Sequence, residues 1–185
     1  MDDIFAVVLM LVVLCCAGLF WKRTKSRRLQ SRFLETRQAA ERGDAEAQYN
    51  VGLMYAGGQG VMKDEAECLK WFHKAAEQGH IEAQFNLGFT YAGLAGVPGI
   101  AKNESAAAEW FTKAAEQGHV DAQFYLGEMY EKGEGVAKDE AKAMEWFSKA
   151  DEQDEKAEER AKKEKKSPLG CLWFLVFMVV LLITR

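Results

Sequence analysis

The 185 residues, with a mass of 20.8 kDa, allow one domain of moderate size with additional segments. The net charge of −4 is unevenly distributed: residues 1–43 hold eight Lys and Arg against four Asp and Glu, and residues 44–150 hold nine against seventeen. The acidic part lacks the cationic surface that phosphate binding needs, which argues against nucleic acid as its partner. The four cysteines are too scattered for a disulfide framework, so we expect free thiols that pack as small apolar groups.

The first predicted element is a transmembrane helix at residues 4–21, an uncharged run of 18 residues. At about 1.5 Å per residue, this helix nearly spans a hydrocarbon core of roughly 30 Å. Aspartates precede the run and Phe20-Trp21 ends it, which is unlike a cleaved signal peptide. The basic residues that follow predict an uncleaved anchor with its amino terminus outside and its basic flank in the cytoplasm.

Residues 22–43 are predicted to form a basic juxtamembrane segment and a cap helix. The basic flank either sets the topology and contacts anionic lipids or recruits an acidic partner, and the sequence leaves both open. Residues 39–43, Ala-Ala-Glu-Arg-Gly, correspond to residues 75–79, Ala-Ala-Glu-Gln-Gly. This match predicts the second helix of an incomplete repeat, which would cover the exposed face of the first full unit.

The central part of the chain consists of three copies of one unit, predicted at residues 44–79, 80–118 and 119–154. Two dipeptides mark the register at spacings of 36 or 39 residues: Ala47-Gln48, Ala83-Gln84 and Ala122-Gln123, and Trp71-Phe72, Trp110-Phe111 and Trp146-Phe147. Self-similarity at this period is typical of a helical solenoid, in which each unit buries its apolar face against its neighbours.

Each copy is predicted to contain two helices with apolar stripes at helical spacing. The predicted repeat core is Ala47, Val51, Tyr55, Trp71, Phe72, Ala83, Leu87, Tyr91, Trp110, Phe111, Ala122, Leu126, Tyr130, Trp146 and Phe147. Glycines beside the first stripe, such as Gly52 and Gly127, predict a close approach of the paired helix. Asp64, Asn103 and Asp139 are candidate N-caps of the second helices, with Asp64 and Glu67 at capping-box spacing.

The second copy contains three extra residues in its middle loop, which runs from Ala92 to Asn103 and includes Pro98 and Gly99. Such a loop is either neutral surface decoration or a partner-specific contact.

The repeated pattern A-E-A-Q-x-x-L-G-x-x-Y, G-x-G-V-x-x-D and W-F-x-K-A-A-E-Q-G resembles the Sel-1-like repeat family, a relative of the tetratricopeptide repeats. The resemblance covers about residues 44–151. It implies right-handed superhelices of helix pairs that act as protein-binding scaffolds or adaptors and not as enzymes. The predicted fold is therefore all-α: a superhelical solenoid of three helix pairs with an N-terminal cap helix, flanked by N- and C-terminal transmembrane helices.

A second face of the first helices is the candidate partner-binding face: Glu46, Tyr49, Leu53, Glu82, Phe85, Phe89, Asp121, Phe124 and Glu128. At about 100° per residue these positions point away from the buried stripe. Aromatic residues beside acids resemble the groove in which this repeat class takes peptides or partner helices. Alternatively, Tyr49, Phe85 and Phe124 pack onto the neighbouring repeat.

The third copy lacks the closing glycine, so its second helix is predicted to continue into a charged spacer at residues 155–167. A second apolar run follows, of 15 residues from Leu169 to Ile183, and predicts a short transmembrane helix at residues 169–184. The basic residues at both flanks place residues 22–167 in the cytoplasm.

The sequence contains no recognisable catalytic, cofactor-binding or metal-binding set. His80 and His119 follow helix-ending glycines at equivalent positions, which predicts a structural role, and no nearby ligands complete a metal site around His73. We therefore predict a non-enzymatic scaffold or adaptor, tethered by both ends to the lipid bilayer of an inner or plasma membrane. Its cytoplasmic repeats would bind a protein partner.

One alternative function is a structural or assembly subunit of a membrane protein complex. The repeats could also face the periplasm or lumen, because the family that the chain resembles occurs on either side of membranes.

Overall fold

The computed structural model of the chain describes residues 26–97 and 99–165. The predicted transmembrane helices at residues 4–21 and 169–184 lie outside the described residues. Within the described part, no helix is both long enough and apolar enough to span a bilayer.

Seven helices and no strands form the described part of the chain. They are α1 at residues 26–41, α2 at Ala45–Gly57, α3 at Glu65–Glu77, α4 at Ile81–Tyr91, α5 at Glu104–Glu116, α6 at Val120–Lys132 and α7 at Glu140–Lys165. The chain divides into two compact units after Asn103, so the first unit contains α1 to α4 and the second contains α5 to α7.

Helix α1 contacts α2 in the same way as α3 contacts α4. The buried side chain of Gln48 in α2 donates from Nε2 to the carbonyl oxygen of Ala40 at 3.1 Å. The equivalent Gln84 in α4 donates to Ala76 at 3.0 Å. Helix α1 thus occupies, relative to repeat 1, the position of the second helix of a preceding repeat, as expected of a cap that extends the stack.

The middle turn of each repeat is closed by one backbone hydrogen bond. The residue just before the second helix donates its N–H to the carbonyl oxygen of the tyrosine near the end of the first helix. The three bonds are Asp64 to Tyr55 at 3.2 Å, Asn103 to Tyr91 at 2.8 Å and Asp139 to Tyr130 at 2.9 Å. The three extra residues of repeat 2 therefore lie within a loop that is closed like the other two.

The predicted capping box at the start of α3 is half formed. The Asp64 carboxylate accepts the Glu67 N–H at 3.0 Å, as an N-cap should. The Asp64 N–H, however, donates to Tyr55, and the Glu67 carboxylate accepts from Lys70 Nζ at 2.5 Å instead. The Asp64 N–H therefore closes the turn and does not bond to the Glu67 carboxylate, as a full capping box would require.

In the first unit, apolar contacts join α1, α2 and α3. Phe33 of α1 is buried and meets Tyr55 edge to face, with ring centroids 5.4 Å apart. A Cβ built on Gly52 would lie 2.6 Å from the ring of Phe72, so the helix pair approaches more closely than any side chain at position 52 would allow.

In the second unit, the buried Gln123 of α6 donates to the carbonyl oxygen of Ala115 in α5 at 3.0 Å. Phe111 stacks on Tyr125 with centroids 5.4 Å apart. Gly127 lies against the ring of Phe147 as Gly52 lies against Phe72. Helix α7 continues to Lys165, beyond the position where earlier repeats have glycine.

Burial varies among the predicted core positions. Buried are Ala47, Val51, Tyr55, Trp71, Phe72, Ala83, Leu87, Phe111, Ala122 and Leu126. Half-buried are Tyr91, Trp110, Tyr130, Trp146 and Phe147. Each repeat tryptophan lies beneath a lysine three residues later, with Nζ about 4 Å from the ring centroid, so these rings are covered partly by an alkyl chain and an ammonium group.

Candidate functional site

The candidate partner-binding face is only partly exposed in the first unit. Glu46 is exposed, and its carboxylate lies 3.0 Å from His80 Nε2. The other ring nitrogen of His80 accepts the Ala83 N–H at 3.2 Å and caps α4, so Nε2 carries the proton and donates to Glu46. This contact joins the first helix of repeat 1 to the first turn of repeat 2.

Tyr49 is half-buried between the two repeats of the first unit. Its ring stacks on His80 at 4.5 Å and on Phe72 at 5.4 Å between centroids. Its hydroxyl accepts from Asn86 Nδ2 at 3.2 Å, and burial is the main cause that raises its pKa. Tyr49 therefore packs onto the neighbouring repeat and leaves little of its ring for a partner.

The remaining positions of the face in the first unit are more accessible. The side chain of Leu53 is 40% exposed, and Glu82 is exposed. Phe85 and Phe89 are half-buried with their rings 5.9 Å apart, so each presents part of an aromatic surface.

In the second unit, Phe124 is 50% exposed and its ring lies 5.4 Å from that of Phe147. Asp121 is exposed beside it on α6. Glu128 is half-buried and accepts from Lys132 at 3.3 Å. The face in this unit is an exposed aromatic ring among acids.

A cavity of about 310 Å³ lies between α2, α3 and α4 of the first unit. Its volume is close to the lower end, about 300 Å³, for pockets that bind small molecules. Leu53 and Phe89 of the candidate face line it, together with two residues of the long loop of repeat 2. Its apolar lining consists of Leu53, Ala56, Cys68, Leu69, Phe72, Phe89, Ala95 and Val97.

Polar groups lie at two sides of this cavity. On the α4 side, Asn86 uses its side-chain N–H for Tyr49, and Thr90 donates to the Asn86 carbonyl at 2.8 Å. The side-chain oxygen of Asn86 accepts no hydrogen bond from the described residues. On the α3 side, Lys63 and Glu65 form an ion pair at 2.9 Å. The cavity can thus take an apolar group and offers one amide oxygen to a donor beside it.

Cys68 contributes a thiol to the same cavity. It is a free cysteine and is buried. Burial raises the pKa of the thiol to about 11, because the apolar surroundings disfavour the thiolate. At neutral pH the residue is an uncharged apolar contact and not a nucleophile.

The histidines serve as structural groups in the described residues. His119 accepts the Ala122 N–H at 3.2 Å and caps α6, as His80 caps α4. His73 lies 2.9 Å from the Tyr91 hydroxyl, and burial lowers its pKa. In residues 26–97 and 99–165, no cluster of three or more His, Cys, Asp or Glu is placed to hold a metal ion.

Three features of the site were not predicted. The loop of repeat 2 has no periodicity, so its role as a wall of the cavity could not be read from the sequence. The glutamines next to the repeated alanines recur at the same spacing as those alanines, and that recurrence was the available signal for their buried hydrogen bonds. The recurring Trp-Phe-x-Lys motif likewise contained the signal for the lysine that covers each tryptophan.

Residues 45–80, 81–119 and 120–154 each match the model of the Sel1 repeat, and together they make up more than half of the chain. The chain belongs to the Sel1 repeat family. Sel1 repeats form all-helical solenoids, which fits the helices and the absence of strands in the described residues. Sel1 repeat proteins generally mediate protein–protein interactions and are typically non-enzymatic scaffolds.

Solved Sel1 structures support this assignment. A Sel1 repeat protein from Oxalobacter formigenes is 40% identical, with a TM-score of 0.61, over 70% of this chain and 96% of that protein. A protective antigen present in uropathogenic Escherichia coli strains, which displays this fold, is 40% identical with a TM-score of 0.60 over 65% of this chain. The match spans 25% of that antigen's length.

Helicobacter pylori cysteine rich protein B is 20% identical, with a TM-score of 0.51, over 66% of this chain and 88% of that protein, and shows likeness of fold alone. A comparison with curated proteins gave no match.

Proposed function

We propose that this chain is a membrane-tethered, non-enzymatic scaffold that binds a protein partner at the cavity between repeats 1 and 2. The observation that carries the proposal is the position of the cavity. It joins two residues of the candidate face, the exposed Leu53 and the half-buried Phe89, to Ala95 and Val97 of the loop that distinguishes repeat 2. A peptide or helix would insert one large apolar side chain and use a neighbouring N–H group to reach the Asn86 side-chain oxygen.

The volume and apolar lining of the cavity suit a side chain presented on a peptide or helix. Apolar anchors buried in a pocket commonly provide most of the binding energy of such an interface. Leu94 of the same loop is 49% exposed and offers a partner a further apolar side chain.

The tether to the membrane is supported by sequence alone. The apolar runs at residues 4–21 and 169–184 each have basic residues on the side of the repeats, which favours a cytoplasmic repeat domain at an inner or plasma membrane. Protease treatment of sealed, oriented vesicles tests this topology by mass spectrometry of repeat peptides. Digestion of the repeats only by protease on the periplasmic or lumenal side would contradict the proposed orientation.

Partner binding is tested by co-purification of the full chain from detergent-extracted cells, followed by quantitative mass spectrometry. Leu53→Glu places a charge at the cavity, and Leu34→Glu places one at a site on α1 that is 53% exposed and outside it. We expect the same proteins to co-purify reproducibly with the wild type and with Leu34→Glu, and to be reduced about tenfold or more with Leu53→Glu. No reproducible partner, or equal recovery with both variants, would contradict the proposal.

A further inference from the structure

The middle turn of repeat 1 forms an exposed apolar surface beside the first described turn of α1. Gly60 approaches the backbone of Leu29 so closely that no side chain fits between them. A hollow of about 550 Å³ lies here and is lined on the α1 side by Ser26, Leu29 and Gln30 and on the turn side by Gly58, Gly60, Val61 and Met62. The side chain of Met62 is 87% exposed, the most exposed large apolar side chain in the described residues.

The equivalent turn of repeat 3 shows that the fold does not need these apolar residues. Gly135 approaches the backbone of Glu104 as Gly60 approaches Leu29. The charged Glu104 thus occupies the position of the apolar Leu29, and Ala137 occupies the position of Met62. The ion pair that follows each turn is the same, between Lys63 and Glu65 at 2.9 Å and between Lys138 and Glu140 at 3.1 Å.

Positive charge lies on the same turn of α1 as Leu29, outside the lining of the hollow. Arg27 and Arg28 are exposed, in the helical turn that also contains Leu29. The described residues provide no ion pair for either arginine. Three further basic residues precede them within residues 22–25. The exposed Met62 and the exposed arginines at the start of α1 together suit an anionic lipid interface, in which negatively charged headgroups lie above an apolar layer.

The length of chain before α1 limits how far this surface can lie from a bilayer. Five residue steps separate Trp21, the end of the predicted transmembrane helix, from Ser26. At no more than about 3.6 Å per residue, those steps span at most about 18 Å even when fully extended. With the proposed tether in place, the start of α1 and the turn that it contacts would lie close to the headgroup region.

We propose that Arg27, Arg28, Leu29, Val61 and Met62 form a membrane-facing patch that docks on anionic lipid. Met62 enters the interfacial region, and the two arginines contact headgroup phosphates. The inference rests on the proposed membrane tether. The patch would fix the orientation of repeat 1 on the bilayer and thereby the direction in which the cavity faces.

The test uses the full chain, reconstituted in vesicles of phosphatidylcholine with phosphatidylglycerol. The photoreactive residue p-benzoylphenylalanine replaces Met62 in one sample and Ala137 in the matched control, and lipid adducts are quantified by mass spectrometry after illumination. We expect adducts at position 62 to exceed those at position 137 about tenfold. In vesicles of phosphatidylcholine alone, or with Arg27→Gln and Arg28→Gln, the yield at position 62 should fall severalfold.

The outcomes separate this inference from the tether on which it rests. Equal lipid adducts at the two positions, none at position 62, or adducts of position 62 only with protein would overturn the patch while the chain remains in the membrane. An undiminished yield without anionic lipid would overturn the role of the arginines and the headgroups. Release of the chain from membranes by an alkaline wash would overturn the tether itself, and the patch with it.

Discussion

The side-chain amide of Gln48 donates to the carbonyl oxygen of Ala40 at 3.1 Å and accepts from Gln78 at 2.6 Å. One buried glutamine thus holds α1 to repeat 1 and also contacts the end of α3. Gln84 and Gln123 make the same bond to the helix that precedes their own. The same polar contact therefore joins α4 to α3 and α6 to α5.

Replacing Gln48 with methionine should destabilise the chain by about 2 kcal/mol, because the Ala40 carbonyl would keep only the Gly43 N–H at 3.1 Å and Gln78 would lose its acceptor. Gln123→Met should cost about 1 kcal/mol less, because the side-chain oxygen of Gln123 is buried and has no hydrogen-bond partner in the described residues. Urea unfolding in mild detergent, followed by circular dichroism, measures both. Equal losses would contradict this account of the junction.

Alanine at Gly52 and at Gly127 should have different effects. At Gly52 the new methyl group would meet the ring of Phe72, which is 6% exposed and cannot move aside. Overpacking of about 1–3 kcal/mol should outweigh the roughly 1 kcal/mol that alanine gains in a helix. At Gly127 the ring of Phe147 is half-buried and can shift, so we expect a net change near zero.

Gly57→Ala is the control for these two substitutions, because only the flexible side chain of Gln59 lies near it. It should be neutral or stabilise the chain by up to about 1 kcal/mol. Thermal denaturation of the three variants gives the order of stability. A Gly52→Ala variant as stable as Gly57→Ala would show that α2 and α3 are not as close as described.

His73 should make the chain less stable in mild acid. Burial lowers its pKa in the folded chain below the ordinary 6.5, so the unfolded chain binds the proton at a higher pH than the folded chain does. Stability from this residue is present above about pH 6.5, falls as the pH decreases towards the folded pKa, and does not fall further below it. The free energy of unfolding of His73→Gln should therefore decrease less than that of the wild type between about pH 7.5 and about pH 5. Identical decreases would contradict the assigned cause.

Cys68 should resist alkylation while the chain is folded. Its pKa of about 11 and its burial leave little thiolate that a reagent could reach. Iodoacetamide at about pH 8, with peptide mass spectrometry, should modify it slowly in the native chain and rapidly in urea. Rapid native modification would show that the cavity opens much more widely than described.

The repeat period made the helices, their order and the family predictable. Each apolar position recurs three times in register, and only a stack of similar helix pairs buries all of those copies. The capping box at Asp64 was predicted from local spacing, but the Tyr55 carbonyl takes the N–H that the box would need. Local pattern could not reveal this competition, because the acceptor belongs to another helix.

The site was less predictable than the fold. Helical spacing placed Tyr49 and Leu53 on one face, but it could not distinguish a ring stacked on His80 from a side chain left for a partner. That difference depends on how the next repeat is placed. The loop of repeat 2 has neither period nor capping signal, so the contribution of Ala95 and Val97 to the cavity emerges only from the folded chain.

The most direct test of the proposed scaffold is deletion of residues 95–97, which removes part of the cavity wall and gives this loop the length of the other two. We expect the bond from Asn103 to Tyr91, 2.8 Å in the full chain, to close the shorter loop as well, and a small change in loop length alters closure entropy by less than about 0.6 kcal/mol. We predict an almost unchanged melting temperature in detergent and a loss of about tenfold or more in the partner that co-purifies with the full chain. Full recovery of the partner with the deletion variant would contradict the assignment of this cavity as the binding site.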